Sequence, residues 1–177
     1  TIHLGGTLPL IGSATQVGGK DFFVAEACEY KDSFLRFFPT LAVILNIDAD
    51  HLDYFKDIDA IEASFTRFIQ LTPADGLALG NGDDPRVLRV LSKAPCPYET
   101  FGFDENVSWR AVALSQNHGS YAFTLLHDGE PAVHVQLQVM GRHNVLNACA
   151  AMAVAYHAGV PLEEAAQILS GFTGAHR

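Results

Sequence analysis

The sequence predicts an α/β domain: a mainly parallel sheet flanked by helices, with a small antiparallel sheet attached. Continuous apolar runs such as LAVILN (41–46) read as strands buried on both faces. Segments of helical period such as KDIDAIEASFTRFIQL (56–71) lie between such runs. From Trp109 to Met140 the texture changes to alternation, as in VHVQLQV. With 177 residues, 49% of them hydrophobic, the chain can bury a core of its own.

Taken in order, the first twenty residues contain five glycines without a helical or strand period, and read as loop and edge strand. DFFVAEA (21–27) is a short apolar strand ending at Glu26, and EYKDSFLRFF is a short helix stopped by Pro39. With LAVILN they compose a βαβ unit whose two strands lie side by side. In the next helix Ile58, Ile61, Phe65, Phe68 and Ile69 share one face, and Asp59 and Glu62 stand at capping-box spacing. GLALGNGDDPRVLRVL (76–91) repeats strand, turn and helix, with Pro85 suited to a first helical position. YETFGF is a further strand. Asp128-Gly129 suits a tight hairpin turn within the antiparallel sheet of residues 109–140. NVLNACAAMAVAYHAG is an alanine-rich helix closed by Gly159, and VPLEEAAQILSGF is a shorter helix ending near Gly171.

Twenty acidic residues against 11 basic ones, a net charge of -9, oppose a nucleic-acid partner, whose phosphates need a basic footprint. No run approaches the roughly 18 to 20 apolar residues of a membrane helix, and no leader pattern opens the chain, so no membrane partner is expected. Cys28, Cys96 and Cys149 are far apart and lack C-x-x-C spacing, which fits reduced thiols and a cytoplasmic location.

In open parallel sheets ligands bind beyond the carboxyl ends of the strands. Glu26 closes one predicted strand and His51 follows the next, which makes them a candidate metal pair. Asp48, Asp50 and Asp53 stand near enough to ligate or to orient the imidazole. The alternative is a solvated acidic loop. In GRHNVLNACAA, Asn144 and Asn147 share a helix face, and their amides suit the edge of a purine base. Helix capping is the alternative for Asn144, but it does not explain Asn147 inside the helix, where asparagine has poor propensity. His176 and Arg177 follow the last helix, where a solvated tail is the default. His157 reads as helix surface or as compensation of the helix dipole.

Together and in this order, VAEACEYKDSFL, LNIDADHLDYF, GNGDDP, GRHNVLNACAA and FTGAHR resemble the central ATP-binding domain of the Mur ligases over roughly residues 20 to 177, the alanine-adding branch above all. The resemblance implies a P-loop, Rossmann-like three-layer fold and ATP-dependent amide ligation in peptidoglycan synthesis. ATP phosphorylates the carboxylate of UDP-N-acetylmuramate, the amine of L-alanine attacks the acyl phosphate, and phosphate leaves. It further implies Glu26 and His51 as ligands of Mg2+, with Mn2+ as the alternative because a hard ion prefers oxygen to imidazole. Asn144 and Asn147 correspond to residues that approach the adenine, and Arg177 to one near the ATP phosphates; Glu26, His51 and Arg177 are thereby the expected catalytic set. The family's phosphate-cradling lysine loop precedes residue 1, and its N- and C-terminal domains lie outside the chain. Residues 1–177 are therefore expected to be a central-domain fragment without ligase turnover of its own. Other readings are another Mur or folylpolyglutamate-type amide ligase, a non-catalytic metal- or nucleotide-binding module, and a metal-dependent hydrolase with further ligands converging on His51.

Overall fold

A computed structural model describes residues 1–175. Its centre is a six-stranded sheet in the order β4-β5-β6-β7-β8-β9. Strands β4 (Leu41–Ile44), β5 (Leu77–Asn81) and β6 (Tyr98–Gly102) are mutually parallel. β6 then pairs in parallel with β7 (Trp109–Asn117) over two residues, Phe101 with Trp109 and Gly102 with Arg110. β8 (Ser120–His127) and β9 (Glu130–Met140) complete the sheet as antiparallel neighbours. The expected small antiparallel sheet of residues 109–140 is thus no separate body. It extends the parallel sheet, because the two-residue ladder at Phe101–Gly102 fuses them. The Asp128-Gly129 turn forms as predicted, with φ of 50° and 85°, joining a hairpin closed by His127 and Glu130.

Helices cover both faces. α1 (Ile58–Ile69) and α2 (Pro85–Leu91) pack over one core that includes Ala42, Ile44, Ala78 and Phe68. α3 (His143–His157) and α4 (Leu162–Ser170) cover the other, built on Leu79, Phe101, Trp109 and Val135. Successive residues of β5 serve opposite faces, Ala78 one core and Leu79 the other, which is why the parallel strands read as continuous apolar runs. Asp57, not Asp59, caps α1, accepting from the Ala60 amide at 2.9 Å. Glu62 is engaged instead by a forked bond from Arg89 on α2, at 2.9 and 2.6 Å, which holds its carboxyl below the ordinary range. α2 starts with Pro85 at its head and Asp84 as cap, as the sequence indicates.

The N-terminal part departs from expectation. β1 (Ile2–Leu8) and β2 (Ser13–Gln16) form a hairpin, and β3 (Val24–Ala25) adds to β1 in a separate three-stranded sheet. β3 therefore does not lie beside β4, and no βαβ unit joins them. The physical reason is exposure: Phe22, Phe23 and Val24 are 57%, 62% and 51% accessible, so this apolar run lacks the covering layers a buried parallel strand requires. The predicted helix after it is a 3-10 segment, Tyr30–Arg36, broken by left-handed Lys31 and Asp32. Its Phe34 stacks on Phe68 of α1 at 4.8 Å, which docks the segment on the α1 face.

Gly80 is where α2 closes on the sheet. A Cβ there would lie 2.6 Å from Val87 Cγ1 and 2.7 Å from Leu91 Cδ1, both fully buried. Gly80→Ala is expected to destabilise the domain by about 1–3 kcal/mol through overpacking. A lowered urea midpoint at unchanged slope will register this; a midpoint equal to that of the parent chain would show that α2 can shift freely.

Candidate functional site

Parallel pairing delivers the carboxyl ends of β4, β5 and β6 to one edge, where an open α/β sheet forms its crevice. The loops leaving that edge are tied together by the GNGDDP turn. Asp84 Oδ2 accepts from the Ile47 amide at 3.3 Å, fixing the loop after β4. The Asp83 carboxylate accepts from the amides of Phe103 and Asp104 at 2.8 and 2.9 Å, fixing the loop after β6. The Arg142 guanidinium lies 4.2 Å over the Phe103 ring, which brings the start of α3 to the same edge.

His51 sits in the β4 loop with φ of 55°, a left-handed backbone that costs a non-glycine residue on the order of 1–2 kcal/mol. The conformation is held from three sides. Asp50 Oδ1 accepts from the His51 amide at 2.7 Å, and the His51 carbonyl accepts from the amides of Tyr54 and Phe55, both at 2.9 Å. The Tyr30 ring packs beside the imidazole at 4.8 Å. Glu29 Oε1 stands 3.6 Å from His51 Nε2, and Asp50 Oδ1 stands 3.8 Å from Nδ1. Cys28, Glu29 and His51 bring ligating atoms within 4.8 Å of one another. Beside them a cleft of about 340 Å³ is lined by Glu29, Asn46, Asp48, Ala49, Asp50 and Phe65.

The predicted residues are distributed unevenly around this edge. Glu26 lies just after β3, its amide donating to the His3 carbonyl and its Oε2 accepting from the Gly5 amide at 2.8 Å. It is held by the small sheet and not by a strand adjacent to β4. Asp53 accepts from the Tyr30 hydroxyl at 3.0 Å, a bond between the two loops. Asn144 Nδ2 donates to the Met140 carbonyl at 2.8 Å, and Asn147 Nδ2 donates to Asn144 Oδ1 at 3.0 Å. The two amides thus share a face and are coupled, and no side chain caps α3. His157 is paired with Glu99 at 3.0 Å rather than spent on the helix dipole. His176 and Arg177 lie outside the described residues. Sequence reasoning missed Cys28 and Glu29, although both stand in the same short string as Glu26.

The oxygen-rich lining fits a hard divalent cation, which takes carboxylate, amide and water ligands. What keeps the two loops in register is Asp32. Its carboxylate accepts from Ser64 Oγ, from Arg67 Nη2 at 2.8 Å and from the Tyr54 hydroxyl at 3.0 Å, joining the 3-10 segment to α1 and to the loop after His51. Burial pushes the Asp32 carboxyl up, but the bonds from Ser64, Arg67 and Tyr54 outweigh it and hold the group below its ordinary value of 3.8.

The family model of the Mur ligase middle domain matches residues 7–155. The chain belongs to the Mur ligase family. Along its whole length this middle domain is 47% identical to the UDP-N-acetylmuramate--L-alanine ligase of Acetivibrio thermocellus and 41% identical to that of Caldanaerobacter subterraneus subsp. tengcongensis. It spans 38% and 39% of those proteins. Among solved structures, the UDP-N-acetylmuramate:L-alanyl-gamma-D-glutamyl-meso-diaminopimelate ligase of Neisseria meningitides is 32% identical, with a TM-score of 0.84 over 99% of this chain and 59% of that one. The mixed sheet with helices on both faces is therefore the family's fold.

Asp32→Asn is expected to cost about 1–3 kcal/mol at pH 7, since three donors lose a charged acceptor; the 55% exposed Arg67 contributes the smaller part because solvent screens it. A carboxyl whose folded value is depressed stabilises fully above 3.8, and that stabilisation is lost as pH falls through the lower folded value. Urea midpoints of parent and variant should accordingly converge below about pH 3.8; a gap that persists undiminished at lower pH would place the effect in packing instead.

Proposed function

We propose that the chain is the nucleotide-binding middle part of an ATP-dependent ligase that joins L-alanine to UDP-N-acetylmuramate. The observation that carries this reading is 47% identity, spread over the whole chain, to a ligase of that name. In this reading the crevice at the carboxyl edge takes ATP, with the coupled amides of Asn144 and Asn147 toward the adenine. A divalent cation, Mg2+ or Mn2+, sits by the acidic cleft with Glu26 and His51 as ligands, and Arg177 lies near the phosphates. When bound, the cation neutralises charge on the transferring phosphoryl group. The chain's own residues position it: Asp50 fixes His51, Asp84 anchors the loop after β4, and the Gly5 amide orients Glu26. Among the described residues no helix is long and apolar enough to cross a membrane. A cytoplasmic location accords with three free cysteines.

In the ligase containing this chain, Asn147→Ala is expected to raise KM for ATP about 2- to 12-fold, the loss of one hydrogen bond of roughly 0.5–1.5 kcal/mol. KM for UDP-N-acetylmuramate should hardly move. Steady-state kinetics with each substrate varied in turn separates the cases: a rise confined to UDP-N-acetylmuramate would remove Asn147 from the nucleotide site.

A further inference from the structure

Around His51 the oxygens of the cleft are joined by donors of other kinds. Cys28 offers sulfur, Glu29 oxygen and His51 nitrogen, and the three ligating atoms lie within 4.8 Å of one another. Mg2+ has little use for a thiolate, whereas Zn2+ and its analogues bind sulfur, imidazole nitrogen and carboxylate oxygen alike. Zinc–ligand bonds of about 2.0–2.3 Å at tetrahedral angles put two ligand atoms roughly 3.4–3.6 Å apart. The Glu29–His51 pair already stands at 3.6 Å. Bringing the sulfur to the same spacing takes a side-chain rotation, and Cys28 is exposed and has room for it.

We propose that Cys28, Glu29 and His51 form a three-ligand site for a borderline-soft divalent cation of the Zn2+ class, with a fourth position open to water or a phosphate oxygen. The backbone that carries the ligands is fixed. The Cys28 carbonyl accepts from the Phe34 amide at 2.9 Å and the Ser33 hydroxyl at 2.7 Å, and His51 is locked in its left-handed conformation by Asp50, Tyr54 and Phe55. Nδ1 lies 3.8 Å from Asp50 Oδ1, outside hydrogen-bond range, and Nε2 faces Glu29 Oε1 at 3.6 Å, so Nε2 is the nitrogen turned toward the carboxylate ligand. Three protein ligands and one open position make an exchangeable site rather than a closed structural one. Because His51 belongs both to this set and to the nucleotide-metal reading above, a soft ion here competes with the hard one there. The competition rests on that reading, and the ligand set does not.

Cobalt is the probe, since a four-coordinate Co2+–thiolate centre absorbs in the near ultraviolet by charge transfer and in the visible by d–d bands. Titrating the full chain with Co2+ under reducing conditions should develop both at one equivalent. Cys96 and Cys149 are buried, and burial pushes the Cys149 thiol up to about 12, so a thiolate band reports Cys28. The band should vanish in Cys28→Ser, and its midpoint should move at least tenfold in Glu29→Gln and His51→Ala, with circular dichroism confirming the fold of each. Zn2+ should bleach it and millimolar Mg2+ should not. Without any variant, Zn2+ but not Mg2+ should slow alkylation of Cys28 by iodoacetamide. No charge-transfer band in the parent chain, or one that survives in Cys28→Ser, overturns the site. Mg2+-dependent ATP binding without a cobalt band would defeat this proposal alone, and a cobalt band without ATP binding would defeat only the nucleotide reading.

Discussion

The parallel register of β4, β5 and β6 is the constraint from which the rest of this domain follows. Because the three strands run the same way, their carboxyl ends converge, and the loops that follow them leave from one edge. Convergence alone would leave those loops loose. The turn after β5 supplies the order, since Asp83 and Asp84 spend their carboxylates on amides of the two neighbouring loops. A carboxylate that accepts backbone N–H groups is a stronger tether than a neutral acceptor, and it removes amides that would otherwise be left unpaired. The acidic turn after β5 is therefore a clamp between its two neighbours.

A second clamp is made by Asp32. Asp32 sits in a left-handed backbone position, inside a segment that the sequence presents as a helix, and gathers donors from α1 and from the loop beyond His51. The kink and the network explain each other. A regular helix through Lys31 and Asp32 would turn the carboxylate elsewhere, and without its three donors nothing would offset the backbone cost of the kink. Stacking of Phe34 on Phe68 adds an apolar contact between the same segment and α1. Charge and packing thus meet in the one short segment that also presents Cys28 and Glu29.

Much of this was legible in the residues. Period and continuity disclosed β4, β5, β6 and the four α-helices, because each has a buried face that hydrophobicity must mark. DFFVAEA misled for the same reason in reverse: an apolar run looks alike whether two layers cover it or solvent does, and Phe22, Phe23 and Val24 are exposed. The pattern points to Asp59 as the cap where Asp57 is, because the start of a helix shifts by a couple of residues without any change of pattern. The pairing of His157 with Glu99, 58 positions apart, leaves no mark along the chain. Glu29 went unnoticed beside Glu26 because strand logic assigns importance to the residue that ends a strand. Which acidic side chain meets His51 is decided by the left-handed turns at Lys31 and Asp32, and two positive φ values on a lysine and an aspartate are invisible in composition.

The surroundings of His51 combine two kinds of donor. With Nδ1 toward Asp50 and Nε2 toward Glu29, the ring has on both sides carboxylates that line the cleft, and Cys28 adds a sulfur within 4.8 Å of the other two ligating atoms. An ion drawn by the surrounding negative charge is attracted whatever its softness, since Coulomb attraction depends on charge and distance. Discrimination between ions then falls to the donor atoms that close around it. A chain of net charge -9 that concentrates carboxylates at this edge attracts cations in general. Whether Cys28 turns toward His51 or away from it is what makes the edge selective among them.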